Sequence, residues 1–152
     1  MNIKNLKLLV KRLEAQLDSP EAARFNMKNF GEQYYPGYPR ALQAPVCNTQ
    51  ACLAGEAALM SGQATIGPDG GLLNVFGERM LGGLIEDKAV GFLGLNVEQR
   101  DKLFYTKSDH TWIKTGWPKK FDVAYAAAKT PQGRLYVAIR RVEHFIKTKG
   151  RQ

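Results

Sequence analysis

Cys47-Asn48-Thr49-Gln50-Ala51-Cys52-Leu53-Ala54-Gly55-Glu56-Ala57-Ala58 holds both cysteines of the chain and its densest run of small residues. Thr49 or Asn48 can cap the first free amides of a helix, and Gly62 is a typical helix stop, so we predict a helix over about residues 49–61. One side of it carries only small side chains, at Ala51, Ala54, Gly55 and Ala58. A neighbouring helix can approach that side closely, so we expect this helix at the centre of the fold.

Helical periodicity recurs on both sides of this segment. We predict an amphipathic helix over about residues 3–17 that packs on the central helix. We also predict a last amphipathic helix that ends before Gly150. The pairs Asn96 with Gln99 and Thr130 with Pro131 are typical helix starts. The apolar residues of the two terminal helices are Ile3, Leu6, Leu9, Val10, Leu13 and Leu17, and Leu135, Ala138, Ile139, Val142, Phe145 and Ile146.

The segments between these helices are less regular. Residues 25–46 and 105–118 are two long aromatic loops, and residues 63–73 are a Gly-rich turn or a small extended excursion. Residues 75–81 and 84–92 look helical, although glycines weaken both. No alternating strand ladder occurs. We therefore predict a mainly α fold, with five to seven helices in one compact domain over residues 1–152.

The composition describes a basic globular chain. Lys and Arg outnumber Asp and Glu by 22 to 14, for a net charge of +8 and a pI near 9.6, which favours polyanionic partners. The N-terminus lacks the pattern of a secretory signal, and no apolar run is long enough to span a membrane. We therefore expect a cytoplasmic protein with free thiols. Nothing in the sequence calls for a metal or cofactor.

Several short motifs resemble an uncharacterised family of short phage and bacterial proteins. Its members carry Cys-Gly-Thr-x-x-Cys-x-x-Gly, with which residues 47–55 are similar except that Asn48 replaces the glycine, and Glu56 stands where tryptophan is common. Residues 93–104, Trp117-Pro118, Thr130-Pro131 and residues 141–146, of the Arg-x-x-His-Phe-Ile type, extend the resemblance. It implies a small-residue helix and a phage-like protein in a host cytoplasm, and it implies no mechanism.

Three hypotheses compete for the cysteines. Cys52 near a helix N-terminus could be a thiolate nucleophile, with His110 or His144 as its base. Cys47, Cys52 and the two histidines could bind zinc, although they lack a second close ligand pair. The sulfurs could instead be small apolar core atoms, possible disulfide partners. Helical geometry places His144 opposite the core face of its helix, which favours the third hypothesis.

The leading functional hypothesis is a non-enzymatic binding protein, such as a phage-encoded modulator of host machinery, that contacts nucleic acid or an acidic protein. The alternatives are a cysteine-dependent hydrolase or transferase using Cys52, and a structural or assembly protein. The predicted contacts are basic and aromatic residues of the second loop and the last helices: Lys107, Trp112, Lys114, Trp117, Lys119, Lys120, Arg134, Arg140, Arg141 and Lys147.

Overall fold

A computed structural model describes residues 1–19, 25, 27, 52–67, 71–106 and 116–152, and these residues form a mainly helical fold, as predicted. Six α-helices and one antiparallel pair of strands lie in the described ranges. In chain order they are α1 (Ile3–Leu17), α2 (Leu53–Met60), β1 (Ala64–Ile66), β2 (Leu72–Asn74), α3 (Gly82–Leu93), α4 (Val97–Phe104), α5 (Lys119–Ala127) and α6 (Pro131–Lys147).

Helix α2 is the central element, but it starts later than the sequence predicts. Its N-cap is Cys52, whose Sγ accepts a hydrogen bond from the Gly55 amide at 3.2 Å. The predicted caps, Asn48 and Thr49, lie outside the described residues. All residues from Leu53 to Ala58 are buried, and the helix contacts α1, α3, α4 and β1. The small side chains allow this many close neighbours, as expected of a central helix.

Glu56 is the charged exception in this buried helix. Its side chain is only 3% exposed, and its Oε2 receives a hydrogen bond from Arg12 Nε of α1 at 2.5 Å. A buried carboxylate needs such a partner, because desolvation of an unpaired charge is costly. The ion pair therefore joins α1 to the central helix.

The two longest helices, α1 and α6, pack against each other and carry the predicted apolar faces. Leu6, Leu9 and Leu13 of α1 are fully buried. Leu135, Ala138, Val142 and Phe145 of α6 are also fully buried, and Ile139 is 3% exposed. Burial of a leucine-sized side chain contributes about 1.5–3 kcal/mol, so this pairing is a large part of the core.

The region after α2 differs from the prediction. Residues 64–66 and 72–74 pair as an antiparallel hairpin, with Thr65 opposite Leu73. Residues 75–81 are not helical: Asn74 and Glu78 close a tight turn through a backbone hydrogen bond of 2.8 Å, and Leu73 bridges Arg79. Gly77 has φ +79°, which ends any helix there. Strands of three residues are too short to show a period of two in the sequence.

The predicted helix caps around α4 and α6 are confirmed. Asn96 and Gln99 form a complete capping box, and Thr130 caps α6 by accepting from the Gly133 amide at 3.1 Å, with Pro131 at the first helical position. Helix α3 ends at Gly94, which has φ +61°. These local signals set where α4 and α6 begin and hence how their side chains face each other.

Candidate nucleic-acid interface

Most of the net positive charge of the chain lies in residues 116–152, which include its last two helices. Residues 116–152 contain nine Lys or Arg residues and two Asp or Glu residues, so they carry +7 of the net charge of +8. Helices α5 and α6 pack against each other, so these charges lie on adjoining elements. Such a concentration produces a strongly positive local field, which attracts polyanions from a distance.

One surface row of α6 combines basic and aromatic side chains. Tyr136, Arg140, Glu143 and Lys147 are spaced by three or four residues, so they lie on one face of the helix. Tyr136 is 55% exposed, and Arg140 and Lys147 are also exposed. The prediction included Arg140 and Lys147 but missed Tyr136, which its spacing of four residues from Arg140 could have revealed.

Glu143 reduces the charge of this row only slightly. Its carboxylate lies 3.3 Å from Arg140 Nη1, but the two side chains are 41% and 60% exposed. An ion pair this exposed is screened by water and salt and contributes well under about 1 kcal/mol. Arg140 can therefore exchange this partner for a phosphate at little cost.

A second group of basic side chains surrounds His144. The imidazole packs against the Phe121 ring of α5, with centroids 5.2 Å apart, and the Lys120 ammonium lies 5.0 Å from the centroid of the same ring. Desolvation lowers the pKa of His144, and the positive charges of Lys120, Arg141 and Lys147 lower it further, while a hydrogen bond with Gln152 raises it. The pKa of His144 is thus lowered first by desolvation and then by cations from both helices.

His144 is half-buried, so the prediction that it points away from the core is only partly right. Its ring contacts are with Phe121 and Gln152. The contact with α5 could not be predicted from the α6 sequence alone, because helical periodicity does not say which neighbour covers a flank of the helix.

Arg141 is not on the surface where the prediction placed it. Its side chain is fully buried, and its Nη2 and Nη1 donate to the main-chain oxygens of Lys102 at 2.5 Å and Gln152 at 3.1 Å. The guanidinium carbon lies 5.3 Å from the Phe145 ring centroid, within cation–π range. Burial lowers the pKa of Arg141 to about 9. In the described part of the chain, no Asp or Glu side chain pairs with it.

Trp117 is likewise a core residue and not a surface aromatic. Its indole is fully buried, and Nε1 donates to the Leu103 main-chain oxygen at 2.8 Å. The ring packs edge-on against Tyr125, with centroids 5.4 Å apart. Trp117 thus fastens the segment just before α5 to α4, and its burial prevents it from stacking on a nucleobase in this fold.

The remaining predicted contacts fall into two groups. Lys119 and Lys120 are exposed at the start of α5, as a contact surface requires, and Arg134 is half-buried with its Nε donating to Ala128 O at 3.2 Å. The other four predicted site residues lie outside the described residues: Lys107, His110, Trp112 and Lys114.

The expectation of free thiols is wrong for Cys52. Its sulfur is disulfide-bonded and its side chain is fully buried, so it is not the accessible thiolate that the nucleophile hypothesis requires. Disulfide formation depends on the distance between two Cβ atoms, which sequence spacing does not supply. Cys47 lies outside the described residues. Within those residues, no three His, Cys, Asp or Glu side chains come close enough to share a metal ion.

A half-buried network around Glu86 lies apart from the basic surface. The Tyr105 hydroxyl donates to Glu86 Oε1 at 2.6 Å, and Arg100 Nη1 lies 3.9 Å from Glu86 Oε2. Desolvation raises the pKa of Glu86, against the opposing effects of Tyr105 and Arg100. This network was not predicted, because Glu86 lies in α3 and Tyr105 follows the end of α4, 19 residues later.

Two further surface features carry less chemical information. A cavity of about 320 Å³ lies between the end of α2 and α3 and is lined in part by Asp87 and Lys88. Because these two side chains have opposite charges, the cavity favours neither an anion nor a cation. The tight turn after β2 exposes Val75 and Phe76, which are 64% and 83% accessible. Neither feature shares residues with the basic surface of α5 and α6.

No protein-family model matches the chain, and no curated protein or solved structure is significantly similar to it. Among the described residues, none of the helices has the length and hydrophobicity needed to cross a lipid bilayer. Function is therefore argued from the basic surface itself.

Proposed function

We propose that this chain is a non-enzymatic protein that binds nucleic acid through the phosphate backbone. The observation that carries the proposal is the concentration of +7 net charge in residues 116–152, the segment whose two helices pack together. Contacts to phosphate supply most of the affinity of sequence-independent nucleic-acid binding. The phage-like role in modulating host machinery remains part of this proposal.

The exposed cations on this surface are free to meet phosphate. Among the described residues, no carboxylate oxygen lies within ion-pair distance of Lys119, Lys120 or Lys147. Arg140 has only its exposed pair with Glu143. Tyr136 beside Arg140 offers a ring on which an unpaired base can stack, an interaction worth about 1–3 kcal/mol in single-strand binding.

Fluorescence anisotropy with labelled single- and double-stranded DNA tests the proposal. We expect binding at low ionic strength that weakens steeply with salt, with a slope of log K against log [salt] of about −0.9 per phosphate contacted on duplex DNA. Each of Lys120→Gln and Lys147→Gln should reduce that slope by about one. Lys88→Gln, on α3, removes the same charge elsewhere and should leave the slope unchanged.

The alternatives give different results in the same experiments. Binding to an acidic peptide but not to DNA would favour an acidic protein partner. Oligomers that form with rising protein concentration in light scattering, without affinity for any polyanion, would favour a structural role. Absence of salt-sensitive DNA binding at low ionic strength overturns the nucleic-acid proposal.

A further inference from the structure

The tight turn after β2 holds two apolar side chains in solvent. Val75 and Phe76 are 64% and 83% exposed. Asn74 fixes the turn, because its Oδ1 accepts hydrogen bonds from the Phe76 and Glu78 amides, both at 2.9 Å. Its own amide donates to Glu78 O at 2.8 Å. The phenyl ring is therefore presented in a defined position, which favours its use in a contact with another molecule.

Further exposed apolar side chains follow this turn at the start of α3. Leu81 and Leu84 are each 50% exposed. Leu84 precedes Lys88 by four residues and Gly91 by seven, so these three residues lie along one face of α3. Lys88 and Gly91 line the cavity between α2 and α3. This face therefore joins the residues that follow the turn to the cavity.

The cavity has the size and the lining to hold one aromatic ring. Its volume is about 320 Å³, whereas a cavity of about 150 Å³ already holds a benzene molecule. Phe92 and Gly91 form part of its wall. The Ser61 hydroxyl donates to Ala58 O at 2.6 Å and accepts from the Gln63 amide at 3.2 Å. Because the chain itself satisfies this hydroxyl, an apolar group can enter without leaving it unpaired.

The charges beside the turn and in the cavity are complementary. Glu78 ends the turn and is exposed, and Lys88 lines the cavity. Among the described residues, neither side chain takes part in an ion pair. Asp87 also lines the cavity, but it is exposed, so solvent and salt screen its repulsion of Glu78. A turn that enters the cavity of another copy therefore brings a carboxylate towards an unpaired ammonium.

The turn and the cavity lie near each other on one molecule. Ala64 pairs with Asn74, so the preceding residue, Gln63, lies beside the start of the turn. Gln63 also lines the cavity. The exposure of Phe76 shows that its ring does not fill the cavity of its own molecule. Two copies related by a twofold axis can each place their turn in the cavity of the other, and such an exchange closes at the dimer.

We infer that Phe76 of one copy of this chain inserts into the cavity lined by Gly91 and Phe92 of a second copy, and that the reciprocal contact forms a symmetric dimer. Because the contact consists of one short turn and one face of α3, the dimer is weak and dissociates on dilution. The inference is independent of the proposed function, since the contact uses neither α5 nor α6.

Two variants each remove one half of the contact. Phe76→Ser removes the inserted ring, and Gly91→Leu fills the cavity from a position where a Cβ atom has open space around it. Val97→Ser is the control for the first variant, because it removes an apolar side chain that is 68% exposed on α4. Ala15→Leu is the control for the second, because it adds a leucine at an exposed position of α1. Urea denaturation below the dimer Kd should show that all four variants fold.

Sedimentation velocity of nuclease-treated protein over a range of concentrations measures the dimer. The natural chain and both controls should dimerise as the concentration rises. Phe76→Ser and Gly91→Leu should each raise the dimer Kd by at least about tenfold, as expected when a phenylalanine is no longer buried. An equimolar mixture of the two should dimerise more strongly than either alone, because the ring of the Gly91→Leu copy still fits the open cavity of the Phe76→Ser copy.

Three results overturn the inference. The first is a natural chain that stays monomeric up to its solubility limit, and the second is association that continues past the dimer. The third is a mixture of Phe76→Ser and Gly91→Leu that associates no more strongly than the separate variants. DNA anisotropy keeps the proposed function apart, because Phe76→Ser and Gly91→Leu should bind DNA as the natural chain does, whether or not the dimer exists.

Discussion

Trp117→Phe tests whether the aromatic residue at the start of α5 belongs to the core or to a binding surface. The substitution removes the indole N–H that donates to Leu103 O at 2.8 Å, and it replaces a fully buried bicyclic ring by a smaller one. The edge-on contact with Tyr125 is also altered. The variant keeps an aromatic ring, so it remains able to fold.

The expected loss of stability follows from two contributions. A buried carbonyl left without its donor costs about 1–3 kcal/mol. The space left by the smaller ring adds on the order of 1 kcal/mol. Together they predict a fall of about 2–4 kcal/mol in the free energy of unfolding, which for a chain of this length lowers Tm by roughly 5–15 °C.

Urea denaturation followed by circular dichroism measures this change, with Phe76→Ser as the control. Phe76 is 83% exposed, so its replacement should change stability by less than about 0.5 kcal/mol. DNA affinity of folded Trp117→Phe should equal that of the natural chain. A stability change below about 0.5 kcal/mol together with weaker DNA binding would refute the core position of Trp117.

Three further predictions concern charged groups. Arg12→Met leaves the buried Glu56 carboxylate without its partner and should lower the free energy of unfolding by about 1–3 kcal/mol at neutral pH, measured by urea denaturation. Burial raises the pKa of Glu86, so its charged form opposes folding and stability falls as pH rises from the ordinary glutamate pKa through the raised one. Relative to the natural chain, Glu86→Gln should gain stability over that rise in pH in the same assay. Lys120→Gln removes a positive charge near His144 and should raise the pKa of that imidazole in an NMR titration.

Each of these has a clear contrary result. Unchanged stability of Arg12→Met would mean that water replaces the arginine at Glu56. A stability difference between Glu86→Gln and the natural chain that is constant with pH would mean that Glu86 titrates alike in the folded and unfolded states. An unaltered pKa of His144 in Lys120→Gln would place Lys120 too far from the ring for α5 and α6 to form one cluster.

Local sequence signals determined the helices and several of their ends. The period of α1 and α6, the Asn96–Gln99 capping box and the Thr130–Pro131 start each depend on residues within a few positions, so the sequence alone predicts them. The small residues of α2 predicted its central position in the same way. The hairpin at residues 64–74 was missed, because pairing of such short strands depends on the turn and on coverage by α2.

The candidate site was only partly predictable. Composition and the count of basic residues are properties of the sequence, and they pointed to the last two helices and to exposed residues such as Lys120, Arg140 and Lys147. The sequence did not reveal that Arg141 and Trp117 are buried, that Cys52 is disulfide-bonded, or that Gln152 meets His144.

These outcomes were decided by tertiary structure, and the physical reason is the same for each. The periodicity of apolar residues in a helix identifies its most apolar face. It does not show which of the other faces are covered by neighbouring elements. Whether Arg141 faces solvent or is covered by α4 and Gln152 depends on where those parts of the chain pack. That packing is decided by contacts between residues far apart in the sequence. The sequence by itself determined the charge of this surface, while the packing of α4, α5 and α6 decided which of those charges are exposed and which, like Arg141, are buried.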